Sequence, residues 1–527
     1  MRVNELFLSS VSATFELDNK AIYYSSSPFN VYLNGNLVLK GEKHNVFSLF
    51  NLKCNTEYKL ELKCEEFEIT HTFKTLDEIV AFNVKDFGAK GDGESDDTKA
   101  IQLAIYACPK NGRVYFEEGV YRITSIMLKD DITIDLQKGA ILKAFDDRHM
   151  FPYLPGEVPT NDGKELHLGT WEGNPGKMFA SIVLGINVKN VKFIGQGILD
   201  GNAAFDSVKG IKCDWMTDVK TQRIAWRPRN IFLNSCENIV FQGITVQNSP
   251  AWTIHPYFSK HLKFLNLHII ADKYSHNTDG CDPESCDDVE IIGIKFSVGD
   301  DCIAIKSGKI YMGMKYQTPS SNITIRNCHM NNGHGGVVLG SEMSGGIKNL
   351  TVERCIFSGT DRGLRIKTRR GRGKYAIIDG VKFENILMDG VLTPFVVNMY
   401  YNCCDPDKDS EYVYSKEKNK YQVDDRTPYI GRFHFKDIEC KDTEVCAGFF
   451  YGLPEQPIES IRLENVVVSF KENAKKGIPA MMAFEEPRAK QGFYINNVNS
   501  VSLENVTMQG QVGKEVTCEN VIKIERK

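Results

Sequence analysis

Three aspartates in the middle of the chain have the residue type and the spacing needed for acid–base chemistry. Asp279 precedes Asp300 by 21 residues and Asp301 by 22. If these residues form one turn of a stacked β-coil, the three carboxylates meet on adjacent coils. Carboxylates crowded in this way cannot all ionise at low cost, so one of them is expected to keep a proton near neutral pH. The cluster therefore offers a general acid and a general base within one site.

A histidine and two cationic residues follow at about the same distance along the chain. His334 lies 33 residues after Asp301, and Arg365 lies 31 residues after His334. Lys367 comes two residues later, on the same face of a strand as Arg365. In isolation, each of these residues would more often be an ordinary turn or surface residue. Their joint spacing favours a single site in which acids lie beside cations that can hold an anionic group.

Short segments with an apolar residue at every second position must place these side chains. They recur from about residue 180 onwards, and each opens on Asn or a similar residue, as in Asn238-Ile239-Val240-Phe241. Counted from Ile239, the apolar anchors are 23, 27, 34, 27, 31, 52, 28 and 40 residues apart. The gap of 52 residues fits either two coils or one coil with a long loop. Strands of period two at this spacing, without helices between them, predict an all-β protein built as a parallel β-helix.

The first 77 residues have a different pattern. Their short alternating runs are separated by Asn34-Gly35-Asn36, a hairpin signal. The pattern Thr56-Glu57-Tyr58-Lys59-Leu60, followed by Thr72-Phe73-Lys74-Thr75, resembles the end of a fibronectin type III domain. A helix ending near Ala107 is then expected to cover the open first coil. We therefore predict two domains, a β-sandwich over residues 1–77 and a β-helix over residues 78–527.

Four short motifs around the candidate residues resemble, in order and spacing, those of the glycoside hydrolase family that contains the polygalacturonases, family 28. They are Asn277-Thr278-Asp279, Gly299-Asp300-Asp301-Cys302, Gly333-His334-Gly335 and Arg365-Ile366-Lys367. The resemblance runs from about Phe82 to the end of the chain and is closest to bacterial exo-polygalacturonases. It implies a right-handed parallel β-helix that hydrolyses α-1,4-galacturonosidic bonds with inversion.

The resemblance also implies a role for each matched acid. Asp300 would be the general acid, and Asp279 with Asp301 would hold and deprotonate the attacking water. His334 would hydrogen-bond to one of the aspartates and help to hold its proton. No cofactor is expected, because the acids themselves supply the proton and activate the water.

Further residues are implied to bind the substrate, which would be an oligosaccharide or polysaccharide of galacturonic acid. They are Arg365, Lys367, Asn277 and Tyr401. Tyr401 aligns best with a tyrosine that recurs in the family, and Tyr400 is a close competitor. Arg365 would hold the substrate carboxylate as a fork and Lys367 as a point charge.

Composition and charge limit the other partners. A net charge of −4 argues against nucleic acid as the main partner. The sequence contains no run of 18 apolar residues, so we expect no membrane span. The fifteen cysteines match no metal-ligand spacing and are expected to be free thiols. The first twenty residues lack the pattern of a signal peptide, so we expect a cytoplasmic protein that meets imported fragments.

Several alternatives remain open at this point. Rhamnogalacturonan and xylogalacturonan hydrolases belong to the same family, and loops around the site decide between them. A β-helical pectate lyase would use Ca²⁺ and a basic residue, which fits the aspartate triad less well. A non-catalytic β-helical binding protein has no reason to place acids on consecutive coils. We expect exo attack, because the long segments Phe145–Phe179 and Asn202–Arg229, or the N-terminal domain, could close one end of the groove.

Overall fold

The computed structural model shows an all-β protein, with 53% of the residues in strands and 5% in helices. It describes residues 1–161, 163, 165–203, 205–206, 210–217, 224–402 and 417–527. Seven strands form the N-terminal region, and a stack of parallel coils forms most of the rest, as the repeat pattern predicts. None of the helices in these ranges is long and apolar enough to cross a membrane.

Residues 2–74 form two antiparallel sheets. In their order across the sheets, the strands are Arg2–Leu8, Ala13–Asp18 and Val46–Leu49, and then Asn36–His44, Tyr24–Leu33, Glu57–Lys63 and Glu68–Lys74. Phe15, Phe29 and Leu60 belong to the buried core of this region. The Tyr58 hydroxyl accepts a hydrogen bond from the Lys53 amide at 2.8 Å, as in a tyrosine corner. The type III identity and the boundary at residue 77 stay predictions.

The parallel coils form three faces, and a typical coil gives one strand to each. Strands of the first face are Ala81–Asn83, Gly112–Phe116, Ile132–Leu136, Lys189–Gly195, Glu237–Gln242, Lys260–Leu265, Asp287–Ile292, Ser320–Arg326 and Ile347–Glu353. Those of the second are Asp92–Asp96, Gly119–Ile123, Ala140–Ala144, Ile198–Asp200, Thr245–Gln247, His268–Ile270, Lys295–Ser297, His329–Asn331 and Ile356–Ser358.

The third face, here called the site face, carries the candidate residues. Its strands are Ile126–Met127, Val183–Ile186, Ile231–Asn234, Ile254–Tyr257, Ile303–Ile305, Val337–Gly340, Arg362–Lys367, Thr393–Asn398 and Cys446–Tyr451. Longer strands near the end of the chain bend from one face to another: Ile377–Asp389, Arg432–Thr443, Ile458–Phe470, Gln491–Gln509 and Val516–Arg526.

Short elements decorate the coils. The helices are Val84–Phe87, Thr98–Ala107, Arg148–Met150, Asp214–Met216 and Ile310–Tyr316. The remaining short strands are Tyr153–Leu154, Val158–Pro159, Glu165–Leu166, Thr170–Trp171, Asn174–Pro175, Met178–Phe179, Phe205–Asp206, Ile211–Lys212 and Tyr429–Ile430. Ile101, Ala104 and Ile105 of the helix Thr98–Ala107 are fully buried in the core of the solenoid, where a cap was expected.

The predicted anchors are register partners on the first face. Ile239 pairs with Leu262, which pairs in turn with Val289, and all three are at most 1% exposed. Val381 pairs directly with Phe433. The 52-residue gap is therefore one coil with a long loop and not two coils.

The asparagine that opens each segment has a backbone role. Asn238, Asn322 and Asn349 have φ of 55°, 54° and 55°, in the left-handed region that asparagine tolerates better than most residues. Their side chains also connect coils, since the Asn349 amide donates to Asn322 Oδ1 at 3.2 Å. This repeated turn explains why the motif recurs at each coil despite irregular spacing.

Cysteines fill part of the interior, as their repeated positions predict. Cys236, Cys328 and Cys355 are at most 1% exposed. The thirteen cysteines within the described ranges are all free thiols. They therefore act here as small apolar side chains.

The N-terminal sandwich packs against the first face, away from the candidate site. Phe7 and Val46 of the sandwich share a buried cluster with Ile194, Leu265 and Ile292 of the coils. Ion pairs reinforce this apolar contact, because Glu16, only 1% exposed, accepts hydrogen bonds from Arg326 (2.7 and 3.0 Å) and Arg354 (3.0 Å). This docking corrects the expectation that the N-terminal domain could close one end of the groove.

Replacing Glu16 with Gln should destabilise the protein by about 3 kcal/mol, because two partly buried arginines lose their counter-ion. The free energy of unfolding in urea measures this effect. Glu68→Gln is the matched control, since Glu68 pairs with Lys63 but its side chain is 64% exposed, and a change within about 0.5 kcal/mol is expected. Equal stability of the two variants would contradict an electrostatic role for Glu16 in docking.

Candidate active site

The site face places Asp279 and Asp301 on adjacent coils, as their spacing predicts. The Gly280 amide donates to the Asp301 carbonyl at 3.0 Å, and Cys281 bridges to Ile303 of the next coil. This register sets Asp279 opposite Asp301. Asp300 lies in the bend before the strand Ile303–Ile305, where the chain is not extended and neighbouring side chains can both reach one site.

The three carboxylates meet closely. One oxygen atom from each of Asp279, Asp300 and Asp301 lies within 4.8 Å of the other two. Asp279 and Asp301 are 3% and 1% exposed, whereas 21% of the Asp300 side chain is exposed. The cluster is therefore buried on one side and open to the groove at Asp300.

The environments of Asp279 and Asp300 push their pKa values apart. Burial raises the pKa of Asp279 well above its usual value, and the nearby carboxylates of Asp282 and Asp300 raise it further. Burial would also raise the pKa of Asp300, but the hydrogen bond and charge of His334, with the charge of Lys367, lower it below its usual value. These opposite directions favour a proton on Asp279 over a proton on Asp300 in the free protein.

Asp301 is bound by both predicted cations. Its Oδ1 accepts a hydrogen bond from Arg365 Nη1 at 3.2 Å, and its Oδ2 accepts one from Lys367 Nζ at 2.7 Å. Arg365 and Lys367 are 7% and 9% exposed. Gly340 is the register partner of Lys367 and follows the pair of Ile305 with Leu339, so glycine is the residue between Lys306 and Lys367 in the strand register.

His334 reaches Asp300 as expected. Its Nδ1 lies 3.3 Å from Asp300 Oδ1, and 55% of its side chain is exposed. The hydrogen bond with Asp300 raises the pKa of His334, and the charges of Asp300 and Asp301 contribute in the same direction. His334 therefore stabilises the ionised form of Asp300 in the free protein, which is the opposite of holding its proton.

Asn277 supports Asp300 through the backbone. Its amide nitrogen lies 3.3 Å from Asp300 Oδ2, and its side-chain oxygen accepts a hydrogen bond from Arg227 Nη2 at 2.7 Å. Arg227 is 4% exposed and also donates to the Pro250 carbonyl at 2.6 Å. Asn277 thus faces the site, and its side chain is held by Arg227.

The two tyrosine candidates separate clearly. The Tyr401 ring lies 5.8 Å from Lys367 Nζ, beside the site. The Tyr400 ring instead packs edge-on against Tyr451 and Phe484, at 5.2 and 5.6 Å. Position thus favours Tyr401 over Tyr400 as the substrate-binding tyrosine.

Within the described ranges, two groups of side chains have the composition of a metal site. The first is the aspartate triad, where Arg365 and Lys367 already bring positive charge to Asp301. The second is Glu157, Glu165 and His167, where the Lys315 ammonium group pairs with Glu165. In both groups a protein cation already pairs with one of the carboxylates.

Comparison with known proteins places this geometry in a family. The sequence profile described as "Glycosyl hydrolases family 28" matches residues 162–414, and "Rhamnogalacturonase A/epimerase, pectate lyase-like" matches residues 81–142. The motifs carrying all three aspartates and both cations lie inside the first match. The part of the chain that forms the site is therefore similar to family 28 of the glycosyl hydrolases.

Individual relatives agree with this placement. A probable polygalacturonase from Vitis vinifera is 28% identical over 399 residues, which cover 74% of this chain and 74% of the relative. The family 28 exopolygalacturonase of Yersinia enterocolitica matches with a TM-score of 0.72 and 19% identity, over 99% of this chain and 98% of its own. An exopolygalacturonase of Thermotoga maritima gives 0.63 and 25% identity, over 81% of this chain and 91% of its own. The predicted parallel β-helix is confirmed by these matches.

One wall of the site comes from the insertion around residues 145–179. The Trp171 ring stacks on Trp252 of the site face at 5.7 Å and on Trp226 at 4.6 Å. Beyond Trp171, the Gly173 carbonyl accepts a hydrogen bond from the Lys309 amide at 3.0 Å. The insertion therefore covers the coil of Trp252, which precedes the candidate aspartates, and reaches the loop that follows Asp301 in its own coil. Much of Asn202–Arg229, the other predicted wall, lies outside the described residues.

Sequence reasoning missed a second wall, formed by the chain around residues 478–484. Arg362 Nη2 donates to the Ile478 carbonyl at 2.6 Å, and the Asn398 amide donates to the Met481 carbonyl at 3.0 Å. The Met481 sulfur lies 2.7 Å from Arg365 Nη2. This segment covers coils that follow the catalytic aspartates. Nothing in its own residue pattern links it to residues that lie 83 to 116 positions earlier in the chain, so only the fold could find it.

Gly335 leaves the space in which Asp301 meets its cations. An added methyl group would lie 2.4 Å from Val338 Cγ2, 3.3 Å from Asp301 Oδ1 and 3.5 Å from Arg365 Cδ. Gly335→Ala should lower the rate of hydrolysis about 100-fold by displacing these groups, with a stability loss of about 1–3 kcal/mol. Steady-state kinetics and urea unfolding measure the two effects.

Gly176→Ala is the matched control, because its methyl group would only touch Trp226 at 3.6 Å. An unchanged rate for Gly335→Ala would show that the Asp301 cluster does not depend on this gap.

Proposed function

We propose that this protein hydrolyses the α-1,4 bonds between galacturonic acid units of pectin fragments, with inversion. The observation that carries the proposal is the three-carboxylate cluster with Arg365 and Lys367 against Asp301. The acids supply proton transfer, and the adjacent cations suit a substrate that carries one carboxylate per sugar. The family and its relatives named polygalacturonase support the same assignment.

Substrate binding would redistribute the charges of the site. A galacturonate carboxylate that binds Arg365 and Lys367 offsets the positive charge that holds the pKa of Asp300 down. The proton on Asp279 can then move to Asp300, whose nearest oxygen lies within 4.8 Å. The substrate itself would thus create the proton donor that the resemblance assigns to Asp300.

The chemical step then follows with a balanced proton count. Asp300 gives its proton to the glycosidic oxygen as the bond to the anomeric carbon breaks. Water attacks that carbon and loses a proton to the carboxylates of Asp279 and Asp301. The site ends with one proton on this pair, and the product leaves with the oxygen of the attacking water. No added cofactor takes part in these steps.

The carboxylate separation makes the stereochemistry worth measuring directly. Inverting enzymes typically separate the two carboxyl groups by about 6.5–9.5 Å and retaining enzymes by about 5–5.5 Å. The nearest oxygen atoms here lie within 4.8 Å. Inversion therefore rests on the family resemblance, in which a third aspartate helps to hold the water.

Asp300→Asn should reduce the turnover of a galacturonic acid oligomer by about 1,000-fold or more, because the variant has no proton to donate. Reducing-end assays measure turnover, and NMR of the first product should show the β anomer. Asp361→Asn is the matched control, because Asp361 lies nearby but pairs with Arg362 at 3.4 Å. A variant that turns over normally, or an initial α anomer, would contradict the assigned roles.

We also propose exo attack on short oligomers. The support is that segments on both sides of the aspartates cover the site face, at Trp171 and at Met481. A groove closed in this way admits a chain end better than a chain interior. Relatives of this chain include enzymes named for both exo and endo attack, so their names do not decide between the modes.

Early products should therefore be monogalacturonate or digalacturonate, with little change in the viscosity of polygalacturonate. Replacing residues 171–174 with two glycines should open one side, so that mixed oligomers appear and viscosity falls faster. Replacing residues 34–37, at an exposed hairpin turn of the distant sandwich, with two glycines is the control and should leave products unchanged. A rapid viscosity loss with the unaltered protein would show endo attack.

A further inference from the structure

Asp282 lies beneath the site and takes no part in the steps above. Parallel bridges join Ile254 to Cys281 and Tyr257 to Glu284. This register places Asp282 opposite His255 of the preceding coil on the site face. It is fully buried, and neither of its carboxylate oxygens accepts a hydrogen bond from any described residue. A carboxylate without a donor is costly to bury, so a proton on Asp282 is favoured at neutral pH.

Lys306 is the cation nearest to Asp282. Its Nζ lies 3.6 Å from Asp282 Oδ2 but donates a hydrogen bond to Glu342 Oε2 at 3.3 Å. The Trp252 ring centroid lies 4.4 Å away, and Lys306 is 3% exposed. Burial would raise the pKa of Glu342, but the charge of Lys306 lowers it below its usual value. Lys306 is thus shared between an ionised glutamate and a protonated aspartate.

This pair adjoins the catalytic triad. Burial raises the pKa of Asp282 to about 8, with Lys306 opposing and Asp301 and Asp300 adding to the rise. Asp282 is also the first of the neighbouring charges that raise the pKa of Asp279. The charged and titratable groups around the pair are Glu172, Arg229, His255, Asp279, Glu284, Asp300, Asp301, Lys309, Glu342, Lys367 and Arg372.

We propose that Asp282 and Lys306 are positioning residues whose charge balance decides how tightly the catalytic aspartates hold their shared proton. A negative charge on Asp282 would tighten that hold, and the positive charge of Lys306 loosens it. This inference rests on the proposed hydrolysis and adds two residues that do not touch the groove. It also explains why an ammonium group is placed under the site without binding Asp301.

The two residues should shift the pH dependence of activity in opposite directions. Asp282→Asn removes a group that becomes negative only at alkaline pH. The triad of the variant therefore loses its proton at a lower pH, and the alkaline limb of the kcat/KM profile shifts to lower pH by about one unit. The acid limb stays in place, because Asp282 is neutral there in the unaltered protein. Lys306→Met removes a positive charge at every pH, so both limbs of the profile shift to higher pH.

Three further variants separate charge from shape. Lys306→Arg keeps the charge and should leave both limbs unchanged. Glu342→Gln frees Lys306 to approach Asp282 and should shift the alkaline limb to lower pH. This variant provides the test if Lys306→Met does not fold. Lys374→Met removes a surface lysine that pairs with Asp425 at 3.1 Å and should have no effect.

Infrared spectroscopy tests the proton on Asp282 without any substrate. The unaltered protein at pH 7 should show a carbonyl band of a buried protonated carboxyl group that disappears as the pH rises through about 8. Subtracting the spectrum of Asp282→Asn isolates this band from the bands of other buried carboxyl groups, such as those of Asp279 and Glu284. If the band is present but the protein does not hydrolyse the substrate, the proposed function is contradicted and the proposed charge balance is not. No band, or limbs that do not move in Asp282→Asn and Glu342→Gln, would overturn the proposed charge balance.

Discussion

The ion cluster of Asp301 with Arg365 and Lys367 is the interaction on which the rest of the site depends. It joins residues that are 64 and 66 positions apart and spans two coils, with donor–acceptor distances of 3.2 and 2.7 Å. A nearly buried carboxylate is costly unless it is paired and hydrogen-bonded, and the two cations meet that requirement together. Only side chains stacked in fixed register can meet in this way. The solenoid is therefore what makes the chemistry of the cluster possible.

The same cluster constrains its neighbours. Because Asp301 is fully paired, the remaining negative charge falls on Asp279 and Asp300, and their surroundings differ. Asp279 is buried among other acids, whereas Asp300 faces His334 and the groove. One proton is therefore held on the buried side of the free site. A substrate that carries its own carboxylate changes this balance where a neutral sugar would not, which links recognition of the acid group to catalysis.

Much of this arrangement could be predicted from the sequence, because the repeat fixes which residues face each other. The spacing from Asp279 to Asp301 equals the register of adjacent coils, and anchors such as Ile239 and Leu262 proved to be partners. Residues without such a signal were missed. Lys306 follows an apolar strand like any edge lysine, and Asp282 reads as a turn residue before Pro283. Their importance comes from burial under Trp252 and the insertion, which spacing does not reveal.

Coverage of the site depends on segments that leave the coil repeat. The sandwich docks on the first face through Glu16 and an apolar cluster, and leaves the site face to the two walls. One wall begins before the catalytic coils and the other returns from well after them, so each packs on coils that are distant in sequence. The coils can keep a strict register because the irregular chain lies outside them. A continuous groove thus becomes a bounded site through additions to the solenoid and not through changes within it.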